Sequence, residues 1–127
     1  MQADPQELLL DSGDELVFRR AAVSVRLLAR LRRGEFAVES ELDLHGLSTR
    51  DARRALRAFL AEALQRDQRC VRVVHGKGFG SGPRGPVLKH AVNGWLRSLE
   101  VVVAFASAPR RAGGTGAVNV LLARLPR

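Results

Sequence analysis

A chain of 127 residues has room for one ordinary domain and not two. Its formal charge of +8 hides an asymmetry: residues 1–18 hold five acids and no base, while the remainder carries 21 bases against 8 acids. So basic a body favours a polyanion, and nucleic acid above all, as its partner. The single cysteine, Cys70, excludes an intrachain disulfide and a cysteine-built zinc site. The acidic start excludes a signal peptide, and no apolar run approaches the roughly 18 residues of a membrane span. The expectation is a cytoplasmic protein without a membrane partner.

Residues 1–18 read as a poorly ordered acidic lead-in. Residues 22–33 follow as an amphipathic helix, with Val23, Leu27, Leu28 and Leu31 on one face, Arg26, Arg30 and Arg33 on the other, and Gly34 as its stop. Residues 1–38 thus form an N-terminal extension and residues 39–127 the domain proper. Leu42 and Leu44 alternate with Glu41, Asp43 and His45, the pattern of a strand with one buried face. Ser48 followed by Asp51 is a capping pattern, and Ala52, Leu56, Phe59, Leu60 and Ala63 continue the helix to about Arg66. Cys70 to Val74 is the next strand. Pro86 suits a first helical position, and Val87, Leu88, Ala91, Val92, Trp95 and Leu96 make the next buried stripe. Val101 to Ala106 and Ala117 to Ala123 are two further strands. The predicted fold is α/β, a two-layer sandwich in the order β-α-β-α-β-β with a four-stranded mixed sheet. Two right-handed crossovers make three strands parallel, and the helix-free link 107–116 returns the fourth antiparallel.

This topology brings three loops to one sheet edge, where α/β folds place their ligands. Asp43 and His45 project from the same strand face, a carboxylate set to orient an imidazole for proton transfer. In His75-Gly76-Lys77-Gly78-Phe79-Gly80-Ser81-Gly82, dense glycine lets backbone amides approach a phosphate and Lys77 adds a point charge. The loop matches neither a Walker motif nor the dinucleotide fingerprint, so no nucleotide cofactor is expected. The third element is Gly113-Gly114-Thr115-Gly116. Arg50, Arg53, Arg54 and Arg57 line the exposed face of the first domain helix. Of these, Arg50, Arg53 and Arg57 are candidate nucleic-acid contacts, together with Gly76, Lys77, Gly78, Arg84, Gly114 and Gly116. Trp95 falls on a buried stripe and His90 on a polar one. With no tyrosine and few aromatics, a stacking-based single-strand binder is disfavoured. A metal at Asp43, His45 and His75 lacks a supporting HExxH pattern or second carboxylate, so none is assigned.

Taken together, Leu42-Asp43-Leu44-His45-Gly46, His75-Gly76-Lys77-Gly78 and Gly113-Gly114-Thr115-Gly116-Ala117 resemble the three motifs of the Smr (small MutS-related) domain. The leader, through Leu10-Asp11-Ser12-Gly13-Asp14-Glu15 and Leu31-Arg32-Arg33-Gly34, is similar to the N-terminal extension of stand-alone bacterial members. The resemblance implies a sandwich like the C-terminal domain of translation initiation factor three. It also implies endonuclease activity, as DNA nicking or as cleavage of mRNA on stalled ribosomes. Asp43 and His45 carry over as the catalytic pair, and Gly76 and Gly78 as substrate-loop residues. The expected function is RNA cleavage by general acid–base catalysis, with His45 as base or acid, Asp43 orienting it and His75 its partner. A non-catalytic nucleic-acid or ribosome-binding module and a metal-dependent DNA-nicking enzyme are the alternatives.

Overall fold

A computed structural model describes residues 15–77 and 87–124. The expected helices form where hydrophobic periodicity placed them. Helix α1 spans Val25–Arg32, α2 Thr49–Gln65 and α3 Val87–Ser98. Ser24 caps α1 by accepting from the Leu27 amide, and Ser48 caps α2 by accepting from the Asp51 amide. These two bonds satisfy N–H groups that a helix start leaves orphaned. Pro86 lies outside the described residues.

The sheet has five strands rather than four: β1 Val17–Arg19, β2 Glu41–Asp43, β3 Cys70–Val74, β4 Val102–Ser107 and β5 Ala117–Leu122, in the order β1-β4-β5-β3-β2. Strands β2 and β3 are parallel, and β5 sits between β3 and β4, antiparallel to both. Strands β2, β3 and β4 therefore share one direction, as expected, and their carboxyl ends share one edge.

The additional strand corrects the reading of residues 15–18 as lead-in. Val17, Phe18 and Arg19 pair antiparallel with Ala106, Phe105 and Ala104. Phe18 packs on Phe105 with ring centroids 5.2 Å apart, and the Arg97 guanidinium lies 4.9 Å from the Phe18 centroid. Arg20 donates to the carbonyls of Val102, Arg97 and Leu99. So short an edge strand has almost no signal of its own, because its bonds are all made to distant residues.

Both faces of the sheet are covered. On one, Leu56, Leu60, Val92 and Leu96 of α2 and α3 pack on Val71, Val73, Val102, Phe105, Val118 and Val120, which is the expected two-layer sandwich. On the other, Leu31 of α1 packs on Cys70, Ala104, Ala106 and Leu121. A bulge between Val102 and Ala104 re-phases β4, so that small alanines face α1 and Phe105 faces the helix pair. No helix among the described residues is long and apolar enough to cross a membrane.

Candidate active site

The site begins where β2 ends. Leu42 and Leu44 pack into the core on the α2/α3 face, so by alternation Glu41, Asp43 and His45 project from the opposite, α1 face. Beyond the strand, the Leu47 amide donates to the Leu44 carbonyl across a turn in which Gly46 has φ +82°. The backbone amide of His45 donates to Asp43 Oδ1 at 3.0 Å, and His45 Nδ1 lies 2.6 Å from the same oxygen. These hydrogen bonds hold the Asp43 carboxyl below the usual carboxylate range, so it is ionised and can only accept. A neutral imidazole at this place therefore carries its proton on Nδ1 and leaves Nε2 bare. The two side chains are 50% and 70% exposed, so that nitrogen is open to a substrate.

The second motif meets the first at Gly76. A Cβ on Gly76 would lie 3.5 Å from the His45 Cβ, and its φ of +81° is one that glycine adopts without strain. The third motif holds this loop down. The Gly116 carbonyl accepts from both the His75 and Gly76 amides at 3.0 Å. A Cβ on Gly116 would come within 3.1 Å of Lys77 Cγ, so the absence of a side chain there lets the two loops touch. Lys77 leaves this junction exposed. The expected convergence at one edge holds for Asp43, His45, Gly76, Lys77 and Gly116.

His75 does not join them. Alternation along β3 sends Val71, Val73 and His75 to the α2/α3 face, away from Asp43 and His45. Its ring is 4% exposed, its Nδ1–H donates to the Gly76 carbonyl at 2.7 Å, and its Nε2 is buried without a hydrogen-bond partner. Burial, aided by the nearby Lys89 charge, depresses its pKa to about 4. A ring so placed stays neutral and braces the loop, which corrects its expected role as His45's proton-transfer partner.

The α2 arginines are exposed as expected. Arg50, Arg53 and Arg57 line shallow depressions against Trp95, which is half-buried rather than wholly core. They rise from the helix layer, across the sheet from the face that carries Asp43. Gly78 and Arg84 lie outside the described residues. Two features escaped the sequence reading. Beneath Asp43, Arg72 donates to Asn119 at 2.8 Å and lies 3.7 Å from Glu41, a polar strip within one face of the sheet. Beside Lys77, a groove of about 770 Å³ is lined by Arg32, Arg33 and Arg110. The only signals for it were arginines at the end of α1 and in the 107–116 link, far apart in sequence. The Cys70 thiol is buried and pushed up to about 11 by desolvation, which makes it unreactive at neutral pH. Among the described residues no three His, Cys, Asp or Glu side chains are grouped to hold a metal ion.

The Smr domain family model matches residues 42–123. The chain is 34% identical over 120 residues to the ribosome rescue factor SmrB of Tolumonas auensis, covering 94% of this chain and 66% of that protein. It is 36% identical over 114 residues to SmrB of Aliivibrio salmonicida, covering 90% and 61%. The chain thus spans less than two thirds of the length of these curated relatives. Among solved structures, YdaL, a stand-alone small MutS-related protein from Escherichia coli, superposes with a TM-score of 0.75 at 30% identity, covering 87% of this chain and 84% of that one. The Smr domain of Thermus thermophilus MutS2 gives 0.59 at 33% identity, over 66% and 98%. The three motifs, the shared edge on which they meet and these matches have one reading: the chain belongs to the Smr domain family.

Proposed function

We propose that this chain is an endonuclease that cleaves single-stranded RNA, and that it acts in the cytoplasm on mRNA held by stalled ribosomes. The observation that carries the reading is the exposed Asp43–His45 pair, with Nδ1 bound to the carboxylate and Nε2 open. His45 Nε2 takes the proton of a ribose 2′-OH, and the oxygen attacks the adjacent phosphorus to close a 2′,3′-cyclic phosphate. The bond from phosphorus to the 5′-oxygen breaks, and that oxygen leaves with the proton the His45 imidazolium returns through solvent. Asp43 orients the ring and stabilises the imidazolium that forms. Lys77 and the amides of the glycine loop that holds Gly76 and Gly78 offset the charge of the phosphorane. His75 acts as a positioning residue. Arg50, Arg53, Arg57 and Arg84 add general attraction for the phosphate backbone, and Gly114 and Gly116 keep the third turn low beside it. Residues 39–127 form the domain that carries the chemistry and residues 1–38 its extension. The ribosome is brought in by the similarity to proteins named ribosome rescue factors.

The test is to incubate purified protein with labelled single-stranded RNA and with supercoiled plasmid, each in EDTA or Mg²⁺. Cleavage of RNA in EDTA that leaves a 2′,3′-cyclic phosphate, with resistance of a strand 2′-deoxy at the cut site, is the expected outcome. Nicking of plasmid that EDTA abolishes and Mg²⁺ restores means a metal-activated water instead. Binding without cleavage in any arm reduces the chain to a binding module.

A further inference from the structure

The groove beside Lys77 holds about 770 Å³ and lies on the α1 side of the sheet, the face that carries Asp43 and His45. Its walls come from parts of the chain that are remote in sequence: Ala29, Arg32 and Arg33 at the end of α1, and the connection from Ser107 to Thr115. We propose that this groove is the channel for the single-stranded nucleic acid that runs through the Asp43–His45 site, with Lys77 at its inner end and Arg110 and Arg32 along its walls. This deepens the endonuclease reading and rests on it for the identity of the ligand.

Charge supports the assignment. Four cations, Lys77, Arg32, Arg33 and Arg110, face one carboxylate, Glu15. Glu15 is itself engaged by Arg32 at 3.1 Å, and Arg33 is paired with Glu35. Lys77 and Arg110 are exposed and make no hydrogen bond or ion pair among the described residues. Two cations without an internal partner among the described residues, both lining one groove, suit the binding of phosphates.

Shape supports it as well. A volume of about 770 Å³ suits one or two nucleotides of a single strand and not a duplex. The walls are already set. Leu31, 1% exposed, anchors α1 to the sheet, and a Cβ on Gly34 would come 2.9 Å from Pro109 Cγ, so the helix end abuts the 107–115 turn. That turn is braced by the Ala108 amide on the Ala117 carbonyl and by the Gly114 amide on the Pro109 carbonyl. Among the described residues the groove lining holds cations and no aromatic side chain, a surface suited to phosphates of any sequence. One wall belongs to α1, upstream of the residues that match the family model.

Anisotropy of a short labelled 2′-O-methyl oligouridylate, which cannot be cleaved through its 2′ oxygen, isolates binding from catalysis. Arg110→Glu should weaken binding roughly tenfold, as for the loss of one charge-assisted contact, and should flatten the salt dependence by about 0.7 in slope. Ala29→Trp fills the groove without changing charge and should weaken binding comparably, with folding checked by thermal melting. Arg66→Glu, at the far end of α2, corrects for the change in net charge. If Arg110→Glu behaves like Arg66→Glu and Ala29→Trp binds like wild type, the strand runs elsewhere. If the groove variants lose binding but the wild type cleaves no RNA, the endonuclease reading fails and the channel stands. If the wild type cleaves and the groove variants bind and cleave normally, the channel fails and that reading stands.

Discussion

Two histidines end neighbouring parallel strands, and their surroundings give them opposite chemistry. His45 is 70% exposed and bonded through Nδ1 to an ionised carboxylate. His75 is 4% exposed and bonded through Nδ1 to a backbone carbonyl. Both carry their proton on Nδ1, so the tautomer does not separate them. What separates them is where Nε2 goes: into solvent for His45, into a buried site without a partner for His75. Which sheet face a strand-end histidine leaves thus decides whether its second nitrogen meets solvent or is buried.

The sharpest way to break this comparison is at His45. His45→Ala should lower single-turnover cleavage roughly 10²-fold or more, the usual worth of a general acid–base group, and leave the melting temperature nearly unchanged because the side chain is exposed. Asp43→Asn should lose almost as much, since an amide can present its nitrogen to Nδ1 and release the tautomer. Wild-type rates in both variants would remove the pair from the mechanism.

His75→Leu should do the reverse, costing cleavage a few-fold and acting mainly on stability. The folded ring has a pKa of about 4 against an ordinary 6.5. Between those values the unfolded chain takes up a proton that the folded chain does not. The corresponding stability is complete above pH 6.5 and is lost as the pH falls towards 4. Its upper bound is about 3 kcal/mol. Denaturant midpoints measured from neutral pH down to this range should therefore fall in the wild type and stay flatter in His75→Leu. Equal acid slopes would mean that His75 already titrates freely in the fold.

The smallest expected effect is at the junction of the loops. Gly116→Ala places a methyl 3.1 Å from Lys77 Cγ and 3.6 Å from the Lys77 amide nitrogen. The lysine stem can swing aside, so stability should fall by no more than about 1 kcal/mol. Displacing Lys77 should slow cleavage a few-fold while RNA affinity changes less. An unchanged rate would show that Lys77 reaches the phosphate from more than one stem position.

Residue order alone makes legible the elements that have a local period or cap. Ser24 and Ser48 start helices because their hydroxyls accept the first free amides, and the alternation around Leu42 and Leu44 is enough to put Asp43 and His45 on one face. It also determined that the three glycine motifs share an edge, because crossover handedness orients β2, β3 and β4 alike. The rest depends on contacts between parts of the chain that are distant in sequence. Strand β1 exists through its bonds to β4, some 90 residues away along the chain, as in the Leu16 amide's bond to Ser107 Oγ. The insertion of β5 between β3 and β4 placed the Gly116 carbonyl over the His75 and Gly76 amides. Which layer covers which face sent His75 under the helix pair and left His45 open on the α1 side. The groove follows from the same cause: its arginines are distant in sequence, and they meet because burying Leu31 against Ala104, Ala106 and Leu121 brings the end of α1 to the 107–115 turn.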